Sequence, residues 1–172
     1  MKVINIFAGP GCGKSTTAAG VFYELKKMNK NVEYVSEYAK DLIYENRFER
    51  LNDYLYVLAE QHHRLYRLRN KVEYVICDGS FLLGYIHCNK NSIYDKKLFK
   101  KFVLDIFNHY DNSNYFLDRK DITYQTTGRK ESLDEAISLD KKLMKLFIKE
   151  KILFKNLSPK KAVNQIIKDI YK

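Results

Sequence analysis

The fold is decided by residues 4–16, which read Ile4-Asn5-Ile6-Phe7-Ala8-Gly9-Pro10-Gly11-Cys12-Gly13-Lys14-Ser15-Thr16. An apolar run predicted to form a β-strand ends in a glycine-rich turn, and the apolar residues after Ser15 recur with helical spacing. Strand, glycine-rich turn and helix follow one another in the order required for a phosphate-binding loop. The stretch therefore predicts a phosphate site at the carboxyl end of the first strand.

The glycines of this turn allow the backbone to surround an anion, because they can adopt the positive φ angles that aim successive N–H groups at one point. Lys14 is expected to reach the β- and γ-phosphates of a nucleotide, and the Ser15 hydroxyl to bind Mg²⁺. Ala8 stands where the usual motif has glycine, at a position that requires a small residue more than a positive φ. The residues expected to bind the nucleotide are Gly9, Gly11, Cys12, Gly13, Lys14, Ser15 and Thr16.

The composition is that of one globular domain, which we expect to span residues 1–172. No apolar run approaches the ~18 residues that a membrane span needs, and Met1 leads into the first strand without a signal peptide. We therefore expect a cytoplasmic protein without a membrane partner. Cys12, Cys77 and Cys88 lack metal-binding spacing, so we expect reduced thiols.

The chain is basic, with 31 Lys and Arg residues against 21 Asp and Glu residues and a formal net charge of +10. A basic surface attracts polyanions, so both nucleotides and nucleic acid are possible partners. The same excess of lysine is compatible with a solvated surface on a chain of biased composition.

Beyond the first strand, apolar runs alternate with amphipathic helices along the whole chain. The alternation predicts an α/β fold of three layers, in which a five-stranded, mostly parallel sheet lies between helices. Further strands are predicted over 32–36, 73–78, 114–117 and 152–156. Helices are predicted over 15–28, 38–44, 51–70, 82–87, 98–110 and 133–149, and from Pro159 onward.

Two acidic residues lie at the ends of predicted strands. Because ligands bind at the carboxyl edge of a parallel sheet, Glu37 is a candidate general base or acceptor of a ligand hydroxyl. Its alternative role is that of a carboxylate in the first turn of the next helix. Asp78 is a candidate magnesium ligand, with helix capping as the alternative.

Two further features concern the ligand. Gln61 lies near the buried face of the 51–70 helix, where its amide could contact a base, or else on an exposed flank. The stretch 118–133 is polar, basic and without periodicity, which is typical of a functional or disordered loop. Its cations Arg119, Arg129 and Lys130 could close over a triphosphate as a lid and offset the charge of the transferring phosphoryl group. A solvated loop is the alternative.

Several P-loop classes are excluded. The segment Asn89-Lys90-Asn91-Ser92 lacks the aspartate and the preceding strand of the guanine-specificity element of small GTPases, and no transporter signature occurs. The chain is too short for a full motor module. The remaining motifs are, in chain order, residues 9–15, Ser36-Glu37-Tyr38-Ala39, Leu58-Ala59-Glu60-Gln61, Cys77-Asp78-Gly79-Ser80 and Gly128-Arg129.

This order resembles the nucleoside and nucleotide kinase-like P-loop ATPases, a group that includes ribosylnicotinamide, thymidylate and deoxynucleoside kinases and small phage proteins. For the deoxynucleoside kinases of that group, the resemblance implies that Glu37 accepts the proton of the substrate hydroxyl and that Gln61 contacts the base. Arg119 and Arg129 then correspond to lid arginines. Tyr38 is expected to bind the substrate together with Glu37 and Gln61. Asp78-Gly79-Ser80 stands where those kinases have Glu-Arg-Ser, without the arginine.

The sequence thus predicts an enzyme that transfers the γ-phosphoryl group of Mg-ATP to a nucleoside or nucleoside monophosphate, with Mg²⁺ as cofactor. The residues expected to act in catalysis are Lys14, Glu37, Asp78, Arg119 and Arg129, with Ser15 and Asp78 on the metal. A DNA or RNA hydroxyl is an alternative acceptor. A nucleotide-responsive ATPase that regulates a partner is a second alternative. Monomer and homodimer both remain open.

Overall fold

The structure is a computed structural model that describes residues 1–88, 93, 95–120, 122, 124 and 131–171. In this part of the chain, five strands form one sheet in the order β2-β3-β1-β4-β5, and every neighbouring pair is parallel. The strands are β1 Lys2–Phe7, β2 Val32–Val35, β3 Tyr74–Asp78, β4 Asp111–Leu117 and β5 Lys155–Leu157. The predicted five-stranded parallel sheet is confirmed.

Helices connect successive strands and cover both faces of the sheet. The helices are α1 Lys14–Lys27, α2 Tyr38–Tyr44, α3 Phe48–Asn52, α4 Tyr54–Tyr66, α5 Leu82–His87, α6 Lys96–Asn108, α7 Leu133–Lys149 and α8 Pro159–Ile170. The resulting three-layer α/β architecture is the one predicted from the sequence.

The helix predicted over residues 51–70 is instead two helices, α3 and α4. They are separated because the Asp53 side chain accepts a hydrogen bond from the Tyr56 N–H at 3.1 Å and so begins α4. The fourth strand begins earlier than predicted, at Asp111, and the fifth begins later, at Lys155. These differences lie away from the phosphate loop.

The apolar residues of β1 contribute to both core layers because its side chains alternate between the faces of the sheet. Val3 and Phe7 pack in a cluster that includes residues of α4, α5, α6 and α7. Ile4 and Ile6 pack on the opposite face in a cluster with residues of α1 and α8. The central strand is thereby fixed from both sides, and the loop that follows it begins from a rigid position.

Helices α1 and α8 approach each other closely at Gly20. A Cβ atom at Gly20 would lie 2.8 Å from Cγ2 of Val163, which is closer than side chains pack. The glycine therefore allows α8 to lie directly against the helix that begins at the phosphate loop.

Candidate functional site

The phosphate loop connects β1 to α1, as its sequence predicts. Gly11 and Gly13 have φ angles of 75° and 81°, in the left-handed region that favours glycine. Gly9 does not have a positive φ, and a glycine is required there because the backbone lies close to α7. A Cβ atom at Gly9 would lie 2.5 Å from the carbonyl oxygen of Ala136 in α7. The start of the loop therefore packs directly on that helix.

The polar groups of the loop have distinct environments. Lys14 donates a hydrogen bond from Nζ to the Gly9 carbonyl at 3.4 Å, and the Ser15 and Thr16 side chains are exposed. The Cys12 thiol is buried and donates to the Leu117 carbonyl at 3.3 Å. Burial raises the pKa of this thiol to about 11, so it is neutral and unreactive at ordinary pH.

Arg119 lies against the phosphate loop in an ion pair with Asp140. Its Nε donates to Asp140 Oδ2 at 2.8 Å, and its Nη1 donates to the Pro10 carbonyl at 2.8 Å. The other Asp140 oxygen accepts a hydrogen bond from the Gly9 N–H. Nη2 is buried and has no hydrogen-bond partner among the described residues. Arg119 thus lies against the phosphate loop with two of its donors bound to the protein, and its role on a bound triphosphate stays a prediction.

Tyr124 covers the middle of the loop. Its ring carbons lie 2.6 Å from the position that a Cβ atom at Gly11 would occupy, and its hydroxyl donates to the Glu131 carbonyl at 2.6 Å. The Arg119 guanidinium lies 5.9 Å from the centre of the Tyr124 ring. Described parts of the predicted lid therefore contact the phosphate loop directly. Arg129 and Lys130 lie outside the described residues.

Glu37 follows β2 and precedes α2, but its side chain does not cap that helix. Its Cβ, Cγ and Cδ atoms pack within about 3 Å of the position where Gly79 would carry a Cβ atom, and Gly79 has a φ of 90°. Burial raises the pKa of the Glu37 carboxyl, and the positive charge of Lys14 opposes this shift. Within the described part of the chain the Glu37 carboxylate makes no hydrogen bond, so it can accept a proton.

Asp78 ends β3 beside Glu37. The Tyr34 hydroxyl donates to Asp78 Oδ2 at 2.9 Å, whereas Oδ1 is buried and has no hydrogen-bond partner among the described residues. Burial, with the neighbouring Asp78 charge, raises the pKa of the Tyr34 phenol, so Tyr34 stays a hydrogen-bond donor. Asp78 makes no helix cap, because the side chain that accepts from the Leu82 N–H is that of Ser80.

The donor set fits a magnesium ion that retains water and phosphate oxygens among its ligands. Asp78 offers an unpartnered carboxylate oxygen, and Ser15 offers an exposed hydroxyl at the start of α1. Among the described residues, no group of three or more His, Cys, Asp or Glu side chains could hold a metal ion.

Gln61 is buried in α4, so the exposed-flank alternative is excluded. Its Oε1 accepts from the Tyr38 N–H at 2.7 Å, and its Nε2 donates to the Ser36 carbonyl at 3.1 Å. These bonds fix the turn that carries Glu37. A base contact by Gln61 stays a prediction.

The Tyr38 side chain lies outside the cavity lining. Its hydroxyl is 2.7 Å from that of Tyr56, and its ring packs under the Arg64 guanidinium.

A cavity of about 470 Å³ lies beside the phosphate loop, and Asp78 and Arg119, like Tyr38, are not among its described lining residues. It reaches from the phosphate loop, where Lys14 and Ser15 line it, to Glu37 and Gln61. Much of its remaining wall is apolar and comes from α2, α3, α4, α5 and α7. The part of the wall formed by apolar side chains includes Ile43, Leu51, Val57, Leu58, Phe81 and Leu139. The predicted donor and acceptor positions are therefore parts of one continuous space.

Three residues near this cavity are not apparent from the sequence. Tyr34 and Asp140 make contacts across 44 and 131 positions of the chain, and no local pattern marks either of them. His87 lines the cavity. A single histidine near the end of a short helix carries no sequence signal of this location.

None of the helices in the described parts of the chain is long and apolar enough to cross a membrane.

Comparisons with known proteins agree with this architecture. A family model described as an AAA domain matches residues 3–163. A solved structure of deoxyadenosine kinase from M. mycoides, with the products dCMP and a flexible dCDP bound, is 20% identical, covers 99% of both chains and has a TM-score of 0.60. The same kinase with bound dATP is 21% identical, covers 100% of both chains and has a TM-score of 0.56.

A third structure of that kinase, with bound dCTP, is 16% identical, covers 99% of both chains and has a TM-score of 0.57. No curated protein sequence gave a significant match. Identities this low establish the fold, which is that of a P-loop kinase, and leave the substrate undetermined.

Proposed function

The chain belongs to the AAA domain family, and on this premise we propose that it is an ATP-dependent kinase that phosphorylates a hydroxyl group of a nucleoside. The observation that carries the proposal is the position of Glu37. Its free, half-buried carboxylate shares a single cavity with the phosphate-loop residues Lys14 and Ser15. A proton acceptor beside a triphosphate site is the arrangement that phosphoryl transfer to an alcohol requires.

The chain's own residues have separable roles in this reaction. The loop amides and Lys14 bind and orient the triphosphate, and Glu37 accepts the proton of the attacking hydroxyl. Ser15 and Asp78 would hold Mg²⁺, which supplies positive charge to the phosphate oxygens when bound. Closure of the apolar wall around the γ-phosphoryl group would favour transfer to the acceptor over hydrolysis.

The charges of the described part of the cavity lining, which does not include Arg129 and Lys130, support an acceptor without a phosphate group. Apart from the phosphate loop, its described lining carries three carboxylates, Glu37, Glu131 and Glu135, and one lysine, Lys40. Binding a monophosphate normally requires arginine or several lysines, because the phosphate dianion must be neutralised. An uncharged nucleoside meets no such requirement. The similar solved structures are those of deoxyadenosine kinase, by its name an enzyme that phosphorylates a nucleoside, which supports this class of substrate.

The test is a panel of acceptors incubated with [γ-³²P]ATP and Mg²⁺. The panel contains ribo- and deoxyribonucleosides, their 5′-monophosphates and a single-stranded oligonucleotide with a free 5′-hydroxyl. We expect labelled nucleoside monophosphates from at least one nucleoside. Lys14→Ala should abolish transfer, and Glu37→Gln should lower kcat by about 10²- to 10⁴-fold.

The matched control for Glu37→Gln is Glu33→Gln, which makes the same change four residues earlier on a side chain that is 47% exposed. Label on monophosphates or on the oligonucleotide alone would overturn the assignment of the acceptor. Release of inorganic phosphate alone would favour a regulatory ATPase. Equal rates for wild type and Glu37→Gln would remove Glu37 from the mechanism.

A further inference from the structure

Asp140 lies in the second turn of α7, far along the chain from the phosphate loop, and both of its carboxylate oxygens are used at that loop. One accepts the Gly9 N–H, and the other accepts Arg119 Nε at 2.8 Å. The two side chains are largely buried, with 13% of Arg119 and 16% of Asp140 exposed. Charge-assisted hydrogen bonds that are shielded from water in this way are among the stronger ones in proteins.

The two members of the ion pair make hydrogen bonds to consecutive loop residues, one as an acceptor and the other as a donor. Asp140 accepts from the N–H of Gly9, and Arg119 donates from Nη1 to the carbonyl of Pro10 at 2.8 Å. The peptide unit before Gly9 and the peptide unit after Pro10 are therefore each held by one member of the pair. The adjacent Gly9 carbonyl, in turn, accepts from Lys14 Nζ at 3.4 Å. Gly9 therefore contacts both Asp140, through its N–H, and Lys14, the lysine expected to bind the phosphates, through its carbonyl.

At Gly9 the backbone of the loop packs closely against α7. A Cβ atom at Gly9 would meet the Ala136 carbonyl at 2.5 Å and Asp140 Oδ1 at 3.0 Å. The loop thus lies on the helix that carries Asp140. Electrostatics also favours the pair, because the Arg119 charge neutralises a carboxylate that would otherwise repel phosphate.

We propose that Asp140 is a positioning residue for nucleotide binding: through Gly9 and Arg119 it holds the phosphate loop in the shape that accepts the triphosphate. The inference rests on the proposed function. A loop that is already ordered loses little conformational entropy when the nucleotide binds, so the benefit of Asp140 is realised as nucleotide affinity. Loss of Asp140 is therefore expected to raise the KM for ATP and to change kcat much less.

The test measures the Kd of Mg-ATP by calorimetry, together with KM and kcat, for the full chain and its variants. Asp140→Ala should weaken Mg-ATP binding and raise the KM for ATP by about 10-fold or more, with kcat at saturating ATP changed by less than about 3-fold. Asp140→Asn retains an oxygen for the Gly9 N–H but no charge for Arg119, and should lie between wild type and Asp140→Ala. Asp134→Asn, an exposed change in the same helix, is the control and should match wild type.

A double variant checks whether the pair acts as a unit. The double variant Arg119→Ala/Asp140→Ala should bind ATP with a Kd within about 2-fold of that of the weaker-binding single variant, because both changes remove the same interaction. Should Asp140→Ala not fold, the Asp140→Asn affinity decides, because this substitution preserves shape and volume.

The outcomes separate this inference from the proposed function. Binding of Mg-ATP by wild type and Asp140→Ala with equal Kd would overturn the inference while the proposed function stands. A lower Tm and a smaller active fraction with an unchanged KM would show a merely structural role, and would overturn it as well. Failure of wild type to bind any nucleotide would overturn the proposed function and the inference together.

Discussion

Gly11 provides a quantitative test of how Tyr124 covers the phosphate loop. Substitution by alanine places a Cβ atom at a residue with φ of 75°, which costs an L-residue about 1–2 kcal/mol. That atom would also lie 2.6 Å from two carbons of the Tyr124 ring, whose hydroxyl is anchored on the Glu131 carbonyl. Overpacking of this kind costs about 1–3 kcal/mol, so the total expected loss of stability is about 2–5 kcal/mol.

The assay is chemical denaturation of Gly11→Ala, Tyr124→Ala and the double variant. In the Tyr124→Ala background the ring clash is absent, so Gly11→Ala should cost only the backbone share of about 1–2 kcal/mol. Gly84→Ala is the control for stability, because a Cβ atom there meets nothing within 4 Å and alanine favours the helix. An equal cost of Gly11→Ala in both backgrounds would refute the contact between Tyr124 and the loop.

Four further predictions concern Glu37, Tyr34 and Cys12. Because burial raises the pKa of Glu37 in the folded state, the contribution of this carboxyl to stability is fully present below its unfolded pKa and is lost as the pH rises through the folded pKa, so Glu37→Gln should raise the Tm at pH 7. The kcat of wild type should fall as the pH drops through the same raised pKa, and a pH–rate profile without an acid limb above pH ~4.3 would contradict this assignment. Tyr34→Phe removes the hydrogen bond to Asp78 and should raise severalfold the Mg²⁺ concentration at which ATP increases the Tm; an unchanged Mg²⁺ dependence would dissociate Tyr34 from the metal site. Cys12, with a pKa of about 11, should resist iodoacetamide at pH 8 in the folded protein and react after unfolding, as followed by mass spectrometry; rapid modification of the folded protein would show that the thiol is accessible.

The parts of the site that follow from local chemistry could be predicted from the sequence. A strand, a glycine-rich turn and a helix in succession leave few alternatives for residues 4–16, because glycine, lysine and serine at this spacing have a specific use. Glu37 and Asp78 could be placed together because adjacent parallel strands end at the same edge of the sheet. Neither inference required knowledge of contacts between distant residues.

The parts that depend on distant contacts could not be predicted. The bonds of Asp140 to Gly9 and of Tyr34 to Asp78 join residues 131 and 44 positions apart, and a single sequence carries no record of such pairs. The break between α3 and α4 was missed because the apolar spacing continues across Asp53, whose capping role outweighs it. The amide of Gln61 is oriented by the backbone of Ser36 and Tyr38. Helical spacing alone does not reveal these contacts.

The central claim is that phosphoryl transfer to an acceptor hydroxyl occurs in the cavity between Lys14 and Glu37. Its most direct test is to determine, by thin-layer chromatography with [γ-³²P]ATP, where the label goes in wild type and in Glu37→Gln at saturating Mg-ATP. We predict that wild type transfers label to a nucleoside and that Glu37→Gln binds Mg-ATP with similar affinity but transfers at least about 100-fold more slowly. Label found only in inorganic phosphate, at equal rates in both proteins, would contradict the account.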